Sequence, residues 1–165
     1  MPGPELLVEA RLAAARGEIE QALALLDERL REAPGDPATL VLKGGLLLEA
    51  RRDEAALETL REAVRTAPRS AETHNGLARA LHALGRDDEA LEQAREALAL
   101  LGEGDNFRET APVYLTLVWC LREQRRWREA LELAEEGLTR CPDAVLTQWA
   151  SVVEEELAEA EKERC

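Results

Sequence analysis

Residues 77 to 98 read Leu77-Ala78-Arg79-Ala80-Leu81-His82-Ala83-Leu84-Gly85-Arg86-Asp87-Asp88-Glu89-Ala90-Leu91-Glu92-Gln93-Ala94-Arg95-Glu96-Ala97-Leu98. Leu77, Ala78 and Leu81 recur at helical spacing, as do Ala90, Leu91, Ala94, Ala97 and Leu98, and Gly85 breaks the chain between the two runs. The stretch is a helix, a short turn and a second helix. Its columns recur at a period of 34 residues: Ala22, Ala56 and Ala90; Leu23, Leu57 and Leu91; Leu30, Val64 and Leu98; and the helix-ending Pro34, Pro68 and Gly102. A fourth copy follows after 40 residues, with Ala130, Leu131, Leu138 and Pro142 in the same order. A fixed period of this length marks helix pairs that bury their apolar faces by stacking on one another. The six residues added before the fourth copy are expected in a loop, with Gly102, Gly104 and Asp105 as breakers and Thr110 with Pro112 starting the next helix.

Composition agrees with an all-α chain. Leu, Ala, Glu and Arg supply 103 of the 165 residues, whereas Val, Ile and Thr together supply 17, which favours helix over sheet. With 34 acids against 21 bases, the net charge of −13 opposes a nucleic-acid partner and an acidic membrane surface alike. Met1-Pro2-Gly3-Pro4 begins neither a signal peptide nor a membrane span, and no later stretch is apolar for long enough to cross a bilayer. Cys120, Cys141 and Cys165 are odd in number and lack metal-ligand spacing, so the protein is expected to be cytoplasmic with reduced thiols.

The punctuation of each copy can be read singly. Asp36 before Pro37, Ser70 and Asp143 are expected N-caps of first helices, and Asp53 and Asp87 of second helices. Gly17 and Gly85 occupy the turns of copies one and three, where copies two and four have Arg51 and Arg125. If the turn requires positive φ, each arginine costs on the order of 1 kcal/mol, and looser turns are expected there.

Leu77-Ala78-x-x-Leu81-x-x-x-Gly85-x-x-x-x-Ala90-x-x-x-Ala94-x-x-Ala97-Leu98, with Tyr114-x-x-Leu117-x-x-x-Leu121 and Trp127-x-x-Ala130 in the last copy, resembles the tetratricopeptide repeat family. The resemblance implies a single domain, a right-handed α-solenoid of four helix pairs at about residues 3–36, 37–70, 71–104 and 111–144, with a C-terminal capping helix at 143–164. Small residues in the columns Ala10, Gly44, Ala78 and Ala22, Ala56, Ala90, Ala130 let paired helices approach closely. Glu9 and Lys43, where later copies have Leu77 and Leu117, are expected to pair across the first interface. On the capping helix, Val145, Leu146, Trp149, Val152, Val153 and Leu157 fall on one face, and Glu154, Glu155, Glu156, Glu159, Glu161 and Glu163 are expected to face water.

Catalytic groupings are sparse. Ser70 and Ser151 are the only serines, and His74 and His82, eight residues apart, are turned by about 80° from each other on one helix. His74 is expected in the core at the slot of Tyr114, and Cys120 as a core filler. No catalytic residue, metal ligand or cofactor is assigned.

The helix from Ala38 to Ala50 is apolar nearly all round, which a solvent-facing helix should not be. In the family the first helices of the pairs line a concave, peptide-receiving groove. The resemblance places there Leu7, Val41, Asn75 and Leu115; Val8, Leu42, Gly76 and Thr116; Arg11, Gly45, Arg79 and Trp119; and Ala14, Leu48, His82 and Arg122. From these columns the binding site is assigned to Leu7, Val8, Arg11, Val41, Leu42, Leu48, Asn75, Arg79, His82, Leu115, Trp119 and Arg122. The groove is then apolar with arginines set into it, suited to a peptide of apolar and acidic character. Trp119 has two readings: an exposed indole beside Arg122 that anchors a ligand, or a packing residue against Trp149 of the capping helix. The clusters Arg51-Arg52 and Arg122, Arg125, Arg126, Arg128 are expected to be solvated turns. Some family members clamp a chaperone's terminal carboxylate, but the matching positions here are Leu7, Arg11, Leu42, Glu72 and Gly76, which disfavours that ligand. The expected function is a noncatalytic protein-binding adaptor. The alternatives are a small chaperone that shields apolar segments of clients, and a homodimer that buries the groove.

Overall fold

A helix pair folds back on itself only if the turn between its helices reverses the chain within a few residues, and in this protein that requirement is met four times by one backbone geometry. The computed structural model describes residues 4–102 and 107–163. The pairs are α1 (Pro4–Ala15) with α2 (Ile19–Glu32), α3 (Pro37–Glu49) with α4 (Asp53–Thr66), α5 (Ala71–Ala83) with α6 (Asp87–Leu100), and α7 (Phe107–Glu123) with α8 (Trp127–Arg140); α9 (Ala144–Lys162) closes the end. The odd helices touch one another from α3 to α5, α5 to α7 and α7 to α9, while each even helix packs onto the odd helix that follows it. The odd helices therefore form the inner layer of a right-handed solenoid, and the even ones its outer layer.

Each turn places one residue at positive φ: Gly17 at 78°, Arg51 at 58°, Gly85 at 70° and Arg125 at 57°. The hydrogen bonds across the four turns are equivalent. Gly85 N–H donates to His82 at 2.9 Å and Arg86 N–H to Leu81 at 2.9 Å; Arg51 N–H donates to Leu48 at 3.0 Å and Arg52 N–H to Leu47 at 2.8 Å; Arg125 and Arg126 repeat the pattern on Arg122 and Leu121, both at 2.9 Å. The arginine turns are thus as tight as the glycine turns, against the expectation of looser ones: the strain is held by packing on both sides rather than relieved. Caps follow the sequence on the odd helices only. The Asp36, Ser70 and Asp143 side chains accept from Thr39, Thr73 and Leu146 N–H. Asp53 and Asp87 are not caps but first helical residues, with Arg52 and Arg86 before them making no side-chain cap bond. There the carboxylates face the positive helix terminus, and Asp87 accepts from His82 Nδ1 at 2.7 Å.

Close approach of the helices rests on the small-residue columns. Ala10, Ala22, Ala56, Ala78, Ala90 and Ala130 are fully buried. A Cβ at Gly44 would stand 2.4 Å from Leu60 Cγ, and one at Gly76 would stand 2.7 Å from Leu60 Cδ2, so the α4 leucine is seated between two glycines of α3 and α5. Gly137 does the same for Tyr114, whose ring a Cβ would meet at 2.6 Å. The buried Tyr114 hydroxyl donates to Glu136 at 2.7 Å and accepts from Arg140 at 3.2 Å, and burial, with the Glu136 bond, pushes its pKa up. Arg140 reaches on to the Gly102 carbonyl at 3.0 Å. The all-round apolar character of α3 is largely packing: Leu40, Leu46 and Leu47 are buried, and Val41, Leu42 and Leu48 half-buried.

Four expectations are corrected. α7 begins at Phe107, so Pro112 lies inside the helix and the inserted residues lengthen α7 by about a turn instead of lying wholly in a loop; Gly104 and Asp105 fall outside the described residues. A proline is tolerated there because it remains near the helix start and removes a single N–H. Lys43 pairs with Asp27 at 2.7 Å rather than with Glu9, since α2 lies closer to it than the exposed edge of α1. On α9, Leu146 and Val153 are buried, but Val145 is 48% exposed, being turned away from α8. Nor is the acidic run of α9 wholly solvated: Glu156 pairs with Arg122 at 2.5 Å and Glu161 with Arg128 at 2.6 Å. The arginine clusters are likewise partnered, Arg52 by Glu20 and Arg126 by Glu129.

Arg51→Gly and Arg125→Gly should each stabilise the protein by about 1 kcal/mol, because glycine takes positive φ without the Cβ penalty. Thermal melts should show a rise of about 2–4 °C for each. Gly44→Ala should destabilise by about 1–3 kcal/mol through overpacking on Leu60. Gly45→Ala, where a Cβ meets nothing within 4 Å, should be neutral or stabilising by up to about 1 kcal/mol; equal melting points for the two variants would contradict the packing described.

Candidate peptide-binding groove

The inner layer places α3, α5, α7 and α9 side by side, so residues 34 or 40 apart form rows across the concave face. Leu7, Val41, Leu42, Leu48 and Leu115 are half-buried on this layer, Arg11 and Arg79 are exposed, and Val8 is 55% exposed at the open N-terminal end. Val41, Asn75 and Arg79 are brought together, with Glu72, Gly76, Pro112 and Val113, around a cavity of about 180 Å³ at the centre of the groove. Asn75 is 8% exposed and its buried carbonyl oxygen has no hydrogen-bond donor. His82, Trp119 and Arg122 are brought together, with Glu123 and Trp149, around a second cavity of about 220 Å³. Leu7, Val8, Arg11, Leu42, Leu48 and Leu115 border neither cavity.

At the second cavity the sequence allowed two arrangements, and the structure has the indole packed. Trp119 stacks on His82 with ring centroids 6.5 Å apart and meets Trp149 edge-on at 6.1 Å, half-buried and with no partner for its Nε1. Arg122 is not a free cation. Its Nε and Nη2 donate to the Glu156 carboxylate at 2.5–3.0 Å, Nη1 donates to Glu123 at 3.0 Å, and the guanidinium lies 5.5 Å from the Trp149 ring centroid. The Glu156 bond is the main cause of a pKa raised above the ordinary arginine value. Glu156 and Trp149 were absent from the sequence-assigned site, although each lies 34 residues beyond a groove residue, Arg122 and Leu115. The period alone therefore marks α9 as a fifth inner helix as well as a cap.

The two arginines at the other end and centre of the groove differ from Arg122. Arg11 and Arg79 make no ion pair or hydrogen bond through their guanidinium groups, although the chain carries an excess of 13 negative charges. His74 is a core residue, 8% exposed, with Nδ1 2.9 Å from Gln93 Oε1 and Nε2 3.0 Å from the Pro68 carbonyl. Cys120 is fully buried, and burial, with the nearby Asp87 charge, pushes its thiol up to about 12, which suits a filler rather than a nucleophile. Among the described residues no helix is long and apolar enough to cross a membrane.

A solenoid of antiparallel helix pairs with a continuous inner groove defines the class of helical-repeat scaffolds. Two family models, each described as tetratricopeptide repeat, match residues 13–71 and 69–143, and the chain belongs to the tetratricopeptide repeat family. The fold is similar to the crystal structure of MamA protein (TM-score 0.72, 18% identity, 96% of this chain and 84% of that one). It is also similar to PilF of Pseudomonas aeruginosa (TM-score 0.80, 18% identity, 94% and 69%). A third similar structure is YrrB, described as a TPR protein with an unusual peptide-binding site (TM-score 0.66, 20% identity, 95% and 78%). No curated protein matches the sequence.

Glu156→Ala strips the Arg122 guanidinium of its carboxylate partner between α7 and α9. It should lower stability by about 1 kcal/mol, a fall in melting temperature of about 2–4 °C. Glu155→Ala, one residue away and exposed, should leave the melt within about 1 °C of wild type.

Proposed function

We propose that this protein is a noncatalytic adaptor that holds an extended segment of a protein partner in the concave groove. The observation that carries the proposal is Arg79: an exposed guanidinium without an ion pair at the rim of a central cavity, in a protein with a large excess of acidic groups. Acidic side chains neutralise the other groove arginine of the C-terminal half, yet leave this one open to an incoming carboxylate. The half-buried Val41, Leu42 and Leu115 around it offer apolar contact to the same segment. The partner is accordingly a peptide or protein of mixed apolar and acidic character. The odd count of cysteines without ligand spacing supports placing it in the cytoplasm. YrrB supports the reading to the extent that the same fold there has a peptide-binding site.

Affinity capture with wild-type protein and with Arg79→Glu, both shown folded by circular dichroism, tests the reading. A stoichiometric partner held by wild type and weakened at least tenfold by the variant is the expected result. Equal capture by both moves the binding surface out of the groove. Many clients held nonstoichiometrically and kept from aggregating would indicate the chaperone alternative, and a doubled mass in solution would indicate the homodimer.

A further inference from the structure

The two groove cavities differ in what they can accept, and their spacing sets a register for an occupant. At the centre, the Arg79 guanidinium is free and the cavity floor carries Asn75, more than nine-tenths buried with no donor for its carbonyl oxygen. A buried polar group without a partner is costly, and its persistence at a cavity is a sign of a site awaiting a ligand group. Toward the C-terminal end, the cavity of His82, Trp119 and Trp149 is walled by aromatic rings, and the one cation there already has Glu156 and Glu123. The first cavity therefore selects a carboxylate, and the second a bulky apolar side chain.

Arg79 on α5 and Trp119 on α7 stand in one column of adjacent inner helices, on the order of 10 Å apart by the usual spacing of packed helices. An extended chain advances about 3.3 Å per residue, so that distance is about three residues. Resting on the groove reading above, we infer that the ligand is an extended peptide segment with an aspartate or glutamate side chain at Arg79 and a bulky apolar side chain about three residues away, seated against Trp119 and Trp149. Arg122 is not an anchor for the acid. The recognised unit is a side-chain pair within a segment and needs no free C-terminus.

A displayed library of random linear peptides, selected in parallel on wild type, Arg79→Glu and Arg122→Gln, tests this. Wild type should enrich an acid and a bulky apolar residue at a fixed separation of about three. Arg79→Glu should replace the acid by Lys or Arg at that same position, and Arg122→Gln should keep the acid. An acid preference that survives Arg79→Glu, or that disappears with Arg122→Gln, overturns the register and leaves groove binding standing; so does enrichment without fixed spacing. A wild-type selection no richer than bare support overturns the groove reading itself. Trp119→Phe, which keeps an aromatic packing residue, should retain the acid and relax the apolar preference; unchanged apolar selection would remove the second anchor.

Discussion

The seat of Leu60 between Gly44 and Gly76 is the contact on which the rest of the solenoid depends. Where a β-carbon would come within 2.4–2.7 Å of the leucine, only hydrogen leaves room, so α4 descends onto α3 and α5 at once and sets the distance between the second and third inner helices. That distance decides whether α3 and α5 present one continuous surface or two separate ones. The central cavity of Val41, Asn75, Gly76 and Arg79 lies on this joint, and Gly76 belongs both to the leucine seat and to the cavity wall. A packing constraint inside the protein thereby shapes the groove on its surface.

Charge is distributed along the same period. Arg95 with Glu129, Arg122 with Glu156 and Arg128 with Glu161 join successive copies at offsets of 34, 34 and 33 residues. Exposed pairs of this kind contribute little singly, but they take most of the neighbouring arginines out of play as ligand contacts. Against that background the unpaired Arg11 and Arg79 stand out, and the groove acquires a polarity, free cations toward its start and centre, aromatic rings and a neutralised cation toward its end.

Much of this was legible in the residues. The 34-residue period located every turn, the helix-ending prolines and the alanine columns, because those features are local or repeat at fixed offsets. Extending the same offset from Leu115 and Arg122 would also have reached Trp149 and Glu156. Other features were not legible. Pro112 signals a helix start, and the additional turn from Phe107 goes against that local rule. Lys43 had two acids within plausible reach, and only the lie of α2 against α3 selected Asp27. Arg51 and Arg125 pointed to relaxed turns by their own preference, yet the surrounding packing holds both at φ near 57–58°.

Sequence alone determined the all-α class, the count and order of helix pairs, their family, and the row of residues on the inner face, since helical periodicity and repeat length fix which side chains share a face whatever lies opposite. Tertiary structure decided which of those inner-face residues remain free. Whether Arg122 meets a ligand or Glu156, and whether Trp119 is bare or packed on Trp149, depends on how α9 lies across α7. That placement comes from apolar burial of Leu146 and Val153 summed over many weak contacts, which no single residue type encodes.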